Sequence, residues 1–368
     1  MNKSKETIML PGVTVVQGGH CESSAIMNAL RYEGYDVEEC MVTGGGGALA
    51  FFFQEGTFPF LGGRNDDMKE RFFAAAKIEW HRGNPDEKDL GWAEIEGLLR
   101  RGVPVMIRND MRYMTYRYRG KRGPGYASFG GHYVALFGVD YDKGLAYVSD
   151  TEYPGLQTVT LDNLKRARSS KTKSFPPRGE FYWAEKPATG FRIDMDALAR
   201  ESVKTVVGNY RATAKDATES AGKNGDRVLV GLEGMERYPA ALAGLESWSD
   251  KAFLLPAVLE YMAGNIENHG TGGASFRTLY RSFLARATSE GRHPELAKLI
   301  PLIDRSIASW HELSGEFRVA ATAIKGMKAT QRVAVYARFA AIAEELYKNE
   351  KAFYTSLESI AKAEGNNG

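Results

Sequence analysis

The chain has 368 residues, 43% hydrophobic and 26% charged, with a formal net charge of +2 and two cysteines, Cys21 and Cys40. That length exceeds what one hydrophobic core ordinarily organises, so two domains are expected; the near-neutral balance excludes a global electrostatic drive toward nucleic acid or membrane. Two cysteines exclude a disulfide framework, the opening MNKSKETIMLPGVTVV is broken by Pro11 and Gly12 before a signal-peptide core forms, and no apolar run approaches the ~18–20 residues of a spanning helix, which makes the cytoplasm the expected compartment.

In chain order, the spacing predicts helices over residues 22–32, 66–78 and 89–102, the last closed by Gly102 as a C-cap. Strands follow at 103–109, 132–141, 145–150 and 179–185. Helix first and antiparallel sheet afterwards is an α+β arrangement. From about Phe191 onward, apolar residues recur at three- and four-residue intervals, as in MDALARESVKTVVGNY and the long RVAVYARFAAIAEELYKNEKAFYTSLESIAKA, which predicts a helical bundle. Pro187 and Gly190 mark the change, so the expected domains are 1–187, mixed, and 188–368, all-α.

Chemistry concentrates at VVQGGHCESSAIMNALRYEGY, residues 15–35, where Cys21 stands between a glycine pair and a helix start. A thiol attacks as the thiolate, which a helix N-terminus or a nearby imidazolium favours, and the unpaired N–H groups of the same helix end can hold a developing oxyanion. Gln17 is a further oxyanion candidate. Of six histidines, His20 adjoins the cysteine, His81 and His293 lie in polar contexts and His311 follows Trp310 on a helix; His132, opening a strand after FGG, is the candidate base. Its strand leads through a hairpin to Asp150, a carboxylate able to orient the imidazole.

The two face each other directly only if the hairpin is centred on Tyr141; a loop centred later, at DKG, would put Asp150 four residues along, roughly 13 Å away at strand rise. The sequence leaves this register open. A packing reading also stands beside the catalytic one: a buried cysteine, a hydrogen-bonded histidine and a turn-forming aspartate.

GGGGALAFFFQEG contains a G-x-G-x-x-A match at Gly45, Gly47 and Ala50, rejected as a dinucleotide loop because no βαβ pattern surrounds it. Its expected role is a turn beside the nucleophile in which Gly45 and Gly46 bring backbone close to substrate, or else a plain connection. Residues 100–123 carry eight Lys/Arg against one acid and residues 164–178 six against none. Such stretches suit docking of an acidic carrier protein, contact with a phosphopantetheine phosphate, stacking on aminoacyl-tRNA, or a solvated loop. The glycine-rich break at ENHGTGGASFRTLYRSF offers Arg277 to substrate, or is an ordinary turn with Ser275 as N-cap. No paired Cys or His spacing forms a metal site.

HCESSAIMNALRYEGYDVEE, TGGGGALAFFF, GGHYVALFGVD and VSD, followed by NIENHGTGGASFRTLYRSFLARA, together resemble the family of butirosin biosynthesis protein H, whose N-terminal domain is related to papain-like and bacteriocin-processing cysteine peptidases. The resemblance covers nearly the whole chain; four consecutive glycines followed by Ala48 are a departure from the family pattern. It implies a papain-like domain with a helical domain after it, and transfer of an aminoacyl group from a carrier-protein thioester to an amine. Cys21 would then be acylated, His132 would move the protons and Asp150 would hold His132. No bound cofactor is implied beyond the phosphopantetheine arm of the donor.

Three function classes follow. One is an amide-forming acyltransferase of specialised-metabolite or antibiotic biosynthesis, with an acyl carrier protein or aminoacyl-tRNA as donor and a small-molecule amine as acceptor. Another is a cysteine peptidase or amidase using the same triad with water. The third is a catalytically silent binding protein. A covered site favours the first, since acyl-cysteine must be kept from water. Oligomeric state, a homodimer included, is open.

Overall fold

The structure is a computed structural model and describes residues 7–56, 59–86, 88–118, 128–216, 227–245, 252–291 and 293–365. Its elements, in order, are β1 (Ile8–Met9), α1 (Cys21–Glu33), α2 (Glu39–Gly45), β2 (Leu49–Gln54), β3 (Phe60–Arg64), α3 (Met68–Ala76), β4 (Trp80–Arg82), α4 (Trp92–Arg100), β5 (Val105–Asn109), β6 (His132–Asp140), β7 (Leu145–Ser149), β8 (Gln157–Thr160), α5 (Leu161–Arg168) and β9 (Phe181–Ala184). Then follow α6 (Met195–Arg211), β10 (Val228–Val230), α7 (Gly231–Ala243), α8 (Leu255–Glu267), α9 (Arg277–Glu290), α10 (Ile300–Ala323) and α11 (Ala329–Gly365). The fold class is α+β: antiparallel sheet in the first half, mostly helix in the second. No described helix is long and apolar enough to cross a membrane.

The chain divides into two compact units, Met1–Val42 with Lys77–Ile193, and Thr43–Ala76 with Asp194–Gly368. In the first, a sheet runs in the order β4-β9-β5-β6-β7-β8, with β1 added to the far part of β6, and every pairing is antiparallel. Every residue of β6 is buried. That suits its run HYVALFGVD, apolar on both faces rather than alternating. Helix α1 packs on β6 and β5, and its Ile26, Met27 and Leu30 are all 3% exposed or less.

The second unit gathers the helices from α6 onward, with one element the helical spacing does not anticipate: β10, which joins β2 and β3 in an antiparallel three-stranded sheet. The reason lies in LAFFFQ. Phe51 and Phe53 are 1% and 0% exposed, while Phe52 between them is only half-buried, so the strand alternates. Phe51 meets Tyr238 of α7 at 5.5 Å between ring centroids and Trp310 of α10 at 6.4 Å, and Phe53 meets Tyr238 at 4.8 Å. Burying each phenylalanine contributes about 1.5–3 kcal/mol. Residues 43–76 are therefore core to the second unit, a division that a single boundary at 187–188 does not anticipate.

Candidate active site

Cys21, His132 and Asp150 occupy three element ends of the first unit: the first residue of α1, the first of β6, and the residue after β7. Strand β5 fixes the start of β6 by pairing Asn109 with His132. Between β6 and β7 the register pairs Ala135 with Ser149 and Leu136 with Val148, then shifts by one through an irregularity so that Asp140 pairs with Leu145. The turn is thus residues 141–144, and the hairpin is not centred on Tyr141. By extension of the inner register, Asp150 lies opposite Val134, two residues from His132 and on the same face. Diagonal neighbours of this kind, ~7–8 Å apart at the backbone, are bridged by an imidazole and a carboxylate.

The bridge is made. His132 Nε2 lies 3.1 Å from Asp150 Oδ2, with His132 4% and Asp150 2% exposed. That contact leaves Nδ1 as the free edge of the ring, and the Cys21 sulfur lies near enough to act on the imidazole electrostatically. The half-buried thiol also points at the Gly131 carbonyl, 3.9 Å away. Cys21 thus lies beside His132, whose Nε2 edge is taken by Asp150.

Two residues complete the cluster. Tyr116 Oη donates to Asp150 Oδ2 at 2.7 Å, and Arg117 Nη1 donates to the same oxygen at 2.7 Å while its Nη2 reaches Glu152 Oε1 at 2.8 Å. Three donors thus converge on one carboxylate oxygen; Oδ1 has no partner among the described residues. Burial raises the Asp150 carboxyl, but His132, Arg117 and Tyr116 together hold it well below the usual carboxylate range. Burial draws the His132 imidazole down, while the Asp150 carboxylate, its hydrogen bond and the Cys21 sulfur push it up further, to about 9. Burial and then the Asp150 charge raise the Tyr116 hydroxyl far above its ordinary value, so it stays a donor. Arg117 was visible in the sequence only as one cation of a basic stretch, and Tyr116 not at all. Their partner is more than thirty residues away in the chain, and no local spacing signals it.

The loop before Cys21 is fastened to the loop after Asp150. Gly18 N donates to Thr151 O at 3.0 Å, and Gln17 Nε2 donates to Glu152 O at 2.9 Å. One N–H of the exposed Gln17 amide is thus committed to a clasp, and its second N–H has no acceptor among the described residues. The amide of Cys21 itself has no acceptor among the described residues.

The other expected site residues serve packing. Arg277 is 0% exposed and distributes its donors internally: Nε to Glu350 Oε1 at 2.8 Å, Nη1 to Ser275 O at 2.7 Å and Ala50 O at 3.1 Å, Nη2 to Glu350 Oε2 at 3.3 Å and Tyr210 Oη at 3.5 Å. Five N–H groups meet five acceptor contacts, which leaves none for a substrate. Glu350 also takes hydrogen bonds from Tyr210, Ser306 and Trp310. The glycine run is packed rather than presented: Cβ atoms at Gly44 and Gly45 would fall 2.1 Å from Phe283 and 2.7 Å from Leu198, and Gly46 is buried. Arg277, expected as a substrate contact, thus has its donors taken up inside the second unit, and Gly45 and Gly46, expected to bring backbone near substrate, are buried there.

The two basic stretches are also partly structural. Arg108 holds Gly130 O at 3.0 Å and Glu180 Oε2 at 3.0 Å, and the 2% exposed Arg168 holds Leu90 O at 2.7 Å and Gly179 O at 3.1 Å beneath Trp92 and Phe181. Lys165, Lys171, Lys173 and Arg178 are exposed, and residues 119–123 lie outside the described residues. Among the described residues no group of three or more His, Cys, Asp or Glu is placed to hold a metal ion.

The fold and site describe an α+β protein with a Cys-His-Asp cluster at the strand ends of an antiparallel sheet, its His and Asp buried and its Cys half-buried. Residues 20–151 match the family model of the butirosin biosynthesis protein H N-terminal domain, and residues 162–357, more than half the chain, match that of a domain of unknown function (DUF4872). The chain belongs to the DUF4872 family and carries, ahead of that domain, the butirosin biosynthesis protein H N-terminal domain. The first match runs from the residue before Cys21 to the residue after Asp150 and so contains the whole cluster. A search of the curated proteins returns no match.

Proposed function

We propose that the protein is a cysteine-dependent acyltransferase of natural-product biosynthesis, forming an amide from an acyl thioester through an S-acyl-Cys21 intermediate. The observation that carries this reading is the grouping of Cys21, at the head of α1 with its thiol 3.9 Å from Gly131 O, with the adjacent His132, whose Nε2 lies 3.1 Å from a buried carboxylate. With the proton on His132, the sulfur anion, imidazolium, Asp150 carboxylate and Arg117 guanidinium sum to zero charge, so the cluster can be buried in its reactive state at modest cost.

In the first half-reaction the Cys21 sulfur attacks the thioester carbonyl, the carbon–sulfur bond to the donor breaks, and the departing thiolate takes the His132 proton. In the second, the amine nitrogen attacks the acyl-cysteine carbonyl, the new carbon–nitrogen bond forms, the bond to Cys21 breaks, and the amine proton returns to His132. The steps exchange one thioester for another and then a thioester for an amide, with no redox change. The unpartnered Cys21 N–H is the first oxyanion donor and Gln17 the second. An acyl carrier protein is the donor that the exposed cations at 165, 171, 173 and 178 suit, and a reducing cytoplasm suits a free thiol.

The test is intact-protein mass spectrometry after mixing with candidate acyl thioesters, carrier-bound and free. A mass increment on the wild type that is absent in Cys21→Ser and discharged by an added amine supports the reading. An increment that water removes equally fast with or without amine makes the protein a hydrolase of the peptidase or amidase type.

A further inference from the structure

The elbow that delivers Cys21 to the head of α1 is held by a buried carboxylate from another helix. Glu39, the first residue of α2, is 8% exposed and accepts the Gly19 N–H at 2.7 Å, the His20 N–H at 2.8 Å and the Ser23 hydroxyl at 2.9 Å. Bonds from N–H to an ionised carboxylate are shorter and roughly twice as strong as those between neutral groups. A Cβ at position 18 would fall 2.8 Å from Glu39 Oε2, so the glycine there is what lets the carboxylate in. His20 completes the arrangement by accepting the Ser23 N–H on Nδ1 at 3.3 Å.

A helix start leaves its first N–H groups without intrahelical acceptors. Here Ser23 N–H has the His20 ring, and the Gly19 and His20 N–H groups, just ahead of the helix, have Glu39. The peptide between His20 and Cys21 is then fixed from both sides: upstream by Glu39 holding the His20 N–H, downstream by Ser24 N–H on the His20 carbonyl at 2.9 Å. The Cys21 N–H, beside the sulfur, has no acceptor among the described residues.

Resting on the acyl-transfer reading, we infer that Glu39 is a positioning residue for this reaction: by gripping the Gly19 and His20 amides it aims the Cys21 N–H at the point where the carbonyl oxygen of an acyl group on Cys21 gathers negative charge. Glu39 touches neither sulfur nor substrate. In Glu39→Gln one carboxylate oxygen becomes an NH2 group facing a backbone N–H, two donors without an acceptor. The elbow must turn to separate them, and the Cys21 N–H turns with it.

The test compares two reactions of the same sulfur. Alkylation by iodoacetamide passes through no oxyanion, whereas acylation by p-nitrophenyl acetate does. Glu39→Gln is expected to slow acylation by roughly 10- to 100-fold, the scale on which small misplacements act, while leaving the alkylation rate near that of the wild type. Equal losses in both reactions, or no loss in either, overturn the inference. If Glu39→Gln does not fold, Ser23→Ala, which removes the hydroxyl bracing the carboxylate, is read in the same way and with the same sign. The ester probe needs only a thiol and an oxyanion donor, so it judges Glu39 even where no thioester acylates the wild type, a result that would sink the acyltransferase reading alone.

Discussion

His132 and Asp150 meet at 3.1 Å across the β6–β7 hairpin although they do not stand opposite one another in it. The contact is diagonal, made by side-chain reach rather than by register, and Tyr116 and Arg117 hold the Asp150 carboxylate in place. Asp150→Asn takes the shared carboxylate from His132 and Arg117 and leaves Arg117 only the exposed Glu152, a loss of about 1–3 kcal/mol for a buried group deprived of its partner. Chemical denaturation should show that loss, and acylation of Cys21 should slow by roughly 10²–10⁴, the scale of general acid–base assistance. A variant with wild-type rate and midpoint removes Asp150 from the site.

The same cluster sets a dependence on pH. The folded His132 is raised from 6.5 to about 9, so its stabilising contribution is complete below about 6.5 and lost as pH rises through 9. Glu33, raised by burial from 4.5 to about 7 despite Lys186, acts in the same direction at lower pH. Asp150 and Glu350, both held below the usual carboxylate range, oppose them in acid: their contributions are present above the unfolded carboxylate value and lost as pH falls beneath it. Denaturation midpoints should therefore be highest in mildly acidic solution and decline toward pH 10. His132→Gln should flatten the part of that decline above neutrality, and an unchanged alkaline slope in this variant contradicts the assignment.

Arg277 and Glu350 provide a contrast between structure and catalysis. Arg277→Met strands a buried carboxylate that several donors were holding, with an expected loss of about 3–5 kcal/mol. The double change Arg277→Met with Glu350→Leu should cost less than the two single changes summed, because neither charge is left alone. Should Arg277→Met instead keep full stability while raising KM for the amine, the residue belongs to the substrate site after all.

Gly44→Ala examines the glycine run. Its new methyl would sit 2.1 Å from the Phe283 ring, and overpacking of this kind costs typically about 1–3 kcal/mol. Thermal denaturation should register the loss, with the Cys21 alkylation rate unaffected. A stable variant with altered acylation would return the run to the substrate.

Much of the first half was readable because its signals are local. The helix expected over 22–32 is α1, the strand expected over 132–141 is β6, and the helical spacing of 195–210 is α6. The strands of LAFFFQ and VLV were not read. Each is short, and each pairs with a partner its own neighbourhood does not reveal, β10 lying well over a hundred residues from β2. Glu39 shows the same limit in the site. An acid at the head of a short helix is ordinary in sequence, and only folding brings Gly19 and His20 to it.

By itself the sequence determined the α+β class, the helix that begins at Cys21 and the choice of Cys21, His132 and Asp150 as the residues to watch, because periodicity, turn chemistry and reactive side-chain types are written in neighbouring letters. Tertiary structure decided the hairpin register, the hold of Tyr116 and Arg117 on Asp150, the grip of Glu39 on the elbow, and the burial of Arg277 that turned an expected substrate contact into an ion pair. Those are relations between distant segments, and whether a charge faces solvent, substrate or an opposite charge depends on which segments the core brings together.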